Sequence, residues 1–352
     1  MPDLKGLATG IGSLPHKDAD SALDLIFKYT PEIPFWPQLP KRDIREGMVA
    51  QFSEGLPCIK VVDRGILFNS ENKEKELEKL YEHIIAEDLD YFGISEHFAL
   101  GLHRFYQRLE RSDLRQIEYI KCQVTGPFTF AASIKDENGV ALLHDYDFMQ
   151  AISKVVVRKM AWQIKLFKKF KKKLIVFIDE PYLGSFGSGY VPINREKVVN
   201  YLVESGEDFK DVIERYKQDP ILLGVHCCGN TDWSMFTDIK AINIISFDAF
   251  NFFDRILLYA DSLLNFFKRG GILAWGIVPT EAFGPEINAC LLAQRLKQGL
   301  QSLVKKGIDE DLLKRRLILT PSCGLGTLNF DKAEQISACL AELSSILRGE
   351  SV

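Results

Sequence analysis

The chain has 352 residues, 46% of them hydrophobic and 26% charged, with a formal net charge of -4. That composition supports a sizeable buried core, excludes global disorder, and gives no electrostatic basis for a nucleic-acid partner. No stretch approaches the roughly 20 apolar residues that span a bilayer, and the first 15 residues carry no signal-peptide pattern.

Taken in chain order, short apolar runs alternate with longer amphipathic segments. The first runs are 8–15 and 33–40. Residues 41–118 follow, too long for one crossover helix and expected to hold extra helices or a hairpin over the barrel mouth. Next come the run 120–127, a helix over 146–172, the run 174–181, a helix over about 195–217, and the runs 221–228, 242–249 and 272–279. A helix over 284–306, the run 317–324 and a helix over 331–348 close the chain. Most of the runs are continuous or nearly continuous in apolar residues, as strands buried on both faces are. Eight of them with helices between predict an α/β protein, a (β/α)8 TIM barrel, in which residues 1–352 form one domain with the 41–118 segment inserted. The lysine run at 165–173 reads as the solvated end of a helix, where cations suit the C-terminal dipole. Seven cysteines, an odd number scattered through a large chain, read as reduced thiols of a cytoplasmic protein.

The polar signatures fall at the ends of the runs, which in such a barrel form the active-site face. His226 and Cys228 sit two apart at a strand end, so alternation points both to one side and Cys227 to the other. Cys323 ends the last strand, beside Gly324. These three side chains make a metal site, and soft thiolates select zinc over magnesium or calcium. Asp248, at the end of the intervening strand, either completes a tetrahedral set or orients His226 from behind.

The same residues resemble the catalytic C-terminal barrel of the cobalamin-independent methionine synthase family. The matching motifs are Ile11-Gly12-Ser13-Leu14-Pro15, Thr125-Gly126-Pro127, Ile178-Asp179-Glu180-Pro181, His226-Cys227-Cys228 and Cys323-Gly324-Leu325, in the family's order. The resemblance implies zinc held by His226, Cys228 and Cys323, with Asp248 where the family has a longer glutamate. It implies that Ile11, Ser13 and Asp179 hold the amino-acid end of homocysteine, with Glu180 beside them and Asp179 as a candidate catalytic side chain; His16, just after the first motif, reads either as a catalytic proton donor or as a solvated loop histidine. An aspartate suits an α-ammonium, and a hydroxyl with a backbone N–H suits an α-carboxylate. The implied reaction is methyl transfer to a zinc-held thiolate, giving methionine.

These 352 residues are too few to hold the duplicated N-terminal barrel of the family's long form, and Ser322 stands before Cys323 where the family has an aspartate. The segment His226–Thr231 also resembles zinc-dependent methylcobamide methyltransferases, so the donor reads as either a methyl-folate or a methyl-corrinoid protein. A decarboxylase of the uroporphyrinogen type is a second reading, poorly matched at 41–45. A zinc-containing module that binds a corrinoid partner without turnover is a third. Trp36 and Trp275 read either as barrel packing or as a flat wall for a pterin or corrinoid. The glycine-rich loop 184–189 is expected to act as a mobile lid.

Overall fold

The structure is a computed structural model that describes residues 3–63, 65–186, 194–216 and 220–350. It opens with β1 (Leu7–Ala8) and α1 (Ala19–Tyr29). Residues 41–118 contain an antiparallel hairpin, β2 (Ile59–Val62) and β3 (Gly65–Phe68), followed by α2 (Lys73–Ile85) and α3 (Leu100–Arg111). Then come β4 (Tyr119–Thr125), α4 (Pro127–Ser133), α5 (Tyr146–Phe167), β5 (Lys173–Asp179), α6 (Arg195–Arg215) and β6 (Ile221–Cys227). The short α7 (Ser234–Thr237) leads to β7 (Ile242–Phe247), α8 (Ala249–Ile256), α9 (Ala260–Lys268) and β8 (Ile272–Val278). The chain ends with α10 (Ala289–Lys305), α11 (Glu310–Arg315), β9 (Leu317–Pro321) and α12 (Phe330–Arg348).

Seven strands pair in parallel in the order β1-β9-β8-β7-β6-β5-β4. Their apolar residues divide by strand alternation. Leu174, Val176 and Ile178 of β5 pack outward against helices, while Ile175 and Phe177 point into the curl of the sheet. Tyr119, Ile244, Ile272, Ala274 and Ile318 join the inner cluster. Burial on both faces explains why the strands read as continuous apolar runs.

The expectation of a closed eight-stranded barrel needs correction. The sheet curls in the TIM-barrel manner, but no continuous ladder closes it. Between its edges lies 33–40, which was expected to be a strand and makes only isolated bridges, Phe35 with Lys121 and Gln38 with Ser13. Prolines 34, 37 and 40 have no N–H to donate, and a ladder through them would be broken at every third residue. Backbone bonds persist at the bridges, from Lys121 N–H to the Pro34 carbonyl (2.9 Å), Gln38 N–H to that of Gly12 (3.0 Å) and Leu14 N–H to that of Gln38 (2.9 Å), and buried side chains add to them. Thr9 Oγ1 donates to the Ile33 carbonyl (2.8 Å), Lys121 Nζ to that of Ile11 (2.7 Å) and Gln123 Nε2 to that of Trp36 (2.9 Å).

The lysine run ends α5 on the surface, where Lys169 pairs with Glu110 and Lys168 lies over the Tyr216 ring. Among the described residues no helix is long and apolar enough to cross a membrane.

Candidate metal centre

β5, β6 and β7 run side by side, and their register brings Asp179, His226 and Ser246 into one row. Cys228 lies just beyond the end of β6, and Cys323 two residues beyond β9. The ligand atoms of His226, Cys228 and Cys323 all lie within 4.8 Å of one another. His226 is buried and the two cysteines are half-buried. Cys227 points outward into the core between sheet and helices, as alternation requires. All seven cysteines are free thiols.

The imidazole is held from one side. Its Nδ1 lies 2.9 Å from Ser246 Oγ, whereas Nε2 is buried with no hydrogen-bond partner. A buried polar atom without a partner is costly, and here it faces two sulfurs. The thiols titrate as a pair. Cys323 is drawn down to about 4, mainly by the hydrogen bond from the Cys228 thiol, with burial opposing and His226 assisting. Cys228 is pushed up by that same bond and by burial, so one proton stays between the sulfurs. One imidazole nitrogen and two sulfurs converging within 4.8 Å fit a zinc-type cation.

Asp248 does not join the cluster. It caps α8: Oδ1 accepts from the Asn251 N–H (2.9 Å) and Oδ2 from Asn251 Nδ2 (2.7 Å). Nor does it orient His226, since Ser246 does. Sequence reasoning missed Ser246, although its position two residues before Asp248 on the same strand face was a usable signal. Replacing Ser246 with Ala leaves the imidazole free to rotate. We expect zinc affinity to fall roughly 10- to 100-fold, as for other outer partners of metal-bound histidines, read by competition with a chromogenic chelator.

Asp179 is buried beside the cluster, and its Oδ1 has no hydrogen-bond partner. Burial pushes its carboxyl up to about 6, against the pull of His226 and Lys121. Lys121, also missed from the sequence, is wholly buried and is pushed down to about 8 by burial, with Asp179 pulling it back up. A lysine in phase with the inner face of an apolar strand was the available signal.

Glu180 was grouped with Asp179 but faces elsewhere. Its oxygens accept the N–H groups of Phe128 (3.0 Å) and Thr129 (2.8 Å) and the Thr129 hydroxyl (2.7 Å) at the start of α4. It thus satisfies donors that a helix N-terminus leaves unpaired. Gly126 makes room, because a Cβ there would lie 2.1 Å from the Glu180 carboxyl carbon. Burial raises Glu180 to about 7, opposed by these bonds.

Ile11 and Ser13 come close to the Cys323 loop. The Ser13 carbonyl accepts from Leu325 N–H (2.9 Å) and its Oγ from Gly326 N–H (3.2 Å). A Cβ at Gly324 would sit 2.2 Å from Ser13 Oγ, so the close approach requires glycine. The Ile11 carbonyl is taken by Lys121.

His16 stands apart from the metal cluster. Its ring meets Phe330 edge-on at 4.7 Å, neither nitrogen has a hydrogen-bond partner, and burial lowers its pKa against the pull of Asp18 and Glu334. Both tryptophans belong to packing. Trp36 Nε1 donates to Gln163 Oε1 (2.9 Å), and Trp275 stacks on Phe253, each on the helix side of the sheet. Of the loop expected as a lid, residues 187–189 lie outside the described residues.

The fold and cluster define an α/β protein with a TIM-barrel-like sheet and a His-Cys-Cys group at its carboxyl rim. No family model matches the chain, and no curated protein matches it by sequence. Among solved structures, it is similar to a B12-independent methionine synthase from Shewanella sp. W3-18-1 in complex with selenomethionine. That match has a TM-score of 0.54 and 15% identity, and covers 94% of this chain and 88% of the other. It is also similar to the putative vitamin-B12 independent methionine synthase from Listeria monocytogenes, with a TM-score of 0.52, 12% identity, and 94% and 85% of the two chains covered. At such identities the likeness is one of fold.

Proposed function

We propose that the chain is a zinc-dependent methyltransferase that moves a methyl group onto the thiol of homocysteine to give methionine, with the whole chain acting as one domain and 41–118 inserted in it. The observation that carries this reading is the convergence of His226, Cys228 and Cys323 within 4.8 Å at the strand ends. The fold likeness supports it, since the Shewanella protein was solved with selenomethionine, the selenium analogue of the methylated product.

A bound zinc would keep an acceptor thiol, ordinarily about 8.5 in pKa, deprotonated at neutral pH. The rest falls to the chain's own side chains. His226 presents Nε2 because Ser246 holds Nδ1. Cys228 and Cys323 give up their shared proton to hold the cation. Asp179 accepts the α-ammonium on its unpartnered oxygen. Ser13 can donate its hydroxyl to the α-carboxylate beside the N–H groups of the Ile11–Ser13 segment. The S–CH3 bond forms as the bond from methyl to donor breaks, and the thiol proton passes to solvent. No step is assigned to His16 or Glu180.

The test is metal analysis of the purified protein with a methionine-formation assay on homocysteine. Zinc together with turnover from a methyl-folate supports the reading as stated. Turnover only with a methyl-corrinoid protein changes the donor and keeps the acceptor. Metal-free protein with no turnover from either donor sinks the reading.

A further inference from the structure

A carboxylate at the end of β7 is where a fourth protein ligand would be sought, yet the structure commits that group elsewhere. Asp248 is the N-cap of α8. Both carboxylate oxygens are engaged by Asn251, one by its backbone N–H and one by its side-chain amide. The Asp248 carbonyl also accepts the Phe252 N–H at 3.0 Å, so both parts of the residue serve the first turn. Within that helix Phe252 departs from helical geometry at φ -123. Turning the carboxylate toward the sulfurs would break two hydrogen bonds and uncap the helix. Aspartate is also one methylene shorter than glutamate, which leaves it less reach from the same strand position. The cluster, meanwhile, is complete as a trio: among the described residues no other carboxylate oxygen joins the 4.8 Å group.

We propose that this chain holds its metal with three side chains only, His226, Cys228 and Cys323, and that Asp248 is a helix cap, leaving one coordination position open to an outside ligand. This rests on the metal reading above and sharpens it. An open position admits the sulfur of a thiol substrate without first expelling a protein carboxylate. Three protein ligands with one open place is also the pattern of catalytic rather than structural zinc sites.

The experiment uses Asp248→Ser and Asp248→Asn in the full chain. Serine and asparagine both cap helices well, and serine is too short to replace a lost ligand. Zinc affinity is measured by chelator competition, and cobalt(II) is used as a visible probe of the coordination sphere. Both variants are expected to bind zinc within about threefold of wild type, against the roughly 10- to 100-fold loss that follows removal of even an outer partner. Their cobalt(II) spectra should coincide with the wild-type spectrum. Adding L-homocysteine should strengthen the sulfur-to-cobalt absorption equally in all three. Wild type that binds metal while folded Asp248→Ser loses more than about tenfold in affinity, or shifts its cobalt(II) bands, overturns the three-ligand assignment alone. Wild type that binds neither metal overturns the metal reading beneath it.

Discussion

If the chain is the zinc methyltransferase proposed above, Cys323→Ser should abolish metal binding and methyl transfer together. Cys323 is the more acidic thiol of the pair, drawn down to about 4 mainly by the hydrogen bond from Cys228, and is one of the two sulfurs that converge with His226. A serine hydroxyl is nearly isosteric but stays protonated at neutral pH and is a poor partner for a soft metal. Zinc binding should weaken by more than about 100-fold, beyond the loss expected for an outer partner, and methyl transfer should fall to background. The fold should survive, because Cys323 is only half-buried and lies in a loop after β9. Elemental analysis after gel filtration, with circular dichroism as the fold control, reads both. Cys227→Ser is the matched contrast. That thiol is buried in the core facing the helices, so its loss should lower stability and leave zinc in place. A Cys323→Ser protein that keeps one zinc per chain would remove Cys323 from the site.

Asp179→Asn should trade activity for stability. On the activity side, the variant gives the substrate ammonium a neutral partner in place of a charged one. A hydrogen bond to a charged group is worth about 1.5–3 kcal/mol, or roughly 10- to 150-fold in kcat/KM, most of it through KM for the amino acid. On the stability side, burial raises the Asp179 carboxyl from 3.8 to about 6. Between those values the folded state holds a proton that the unfolded state has lost, so stability falls as pH rises through this window. Below pH 3.8 the residue costs nothing, and above about 6 the full penalty stands. The shift corresponds to about 3 kcal/mol at most. Part of it is offset in the variant, because Lys121 loses the carboxylate that pulls its pKa up. Asp179→Asn should therefore melt higher than wild type above pH 6, and the difference should vanish toward pH 4. A variant that melts lower at pH 7 would show that the carboxylate is a structural partner and not a strained, functional one.

Much of this was legible in the sequence, for physical reasons that vary by residue. The strands from β4 to β9 were readable because both faces are buried and most of their residues are apolar. The pairing of His226 with Cys228, and the exclusion of Cys227, followed from strand alternation alone. The stretch 33–40 read as a strand because its side chains are apolar, but three prolines deny it a ladder. Asp248 was ambiguous because a strand-end aspartate before a helix can be a ligand or a cap, and only Asn251 settles which oxygens are free. The partners of Glu180 could not be read beside it in the sequence, because Phe128 and Thr129 stand at the start of α4, 52 and 51 residues earlier in the chain. Trp36 and Trp275 were undecided because strand phase near an irregular end cannot be read without its neighbours.

The seam at 33–40 has a consequence for how this protein can change. A backbone ladder is indifferent to side-chain identity, so strands such as β5 and β6 should accept many apolar exchanges. The seam is different, because Thr9, Lys121 and Gln123 reach across it with specific atoms to specific carbonyls. Substitution tolerance should therefore be uneven around the sheet: broad along most of its circumference and narrow at these three polar positions. Two of them lie on β4, the strand beside that of Asp179, so a lineage diverging in this chain would find the rim that carries Asp179 tied to the stretch least free to drift.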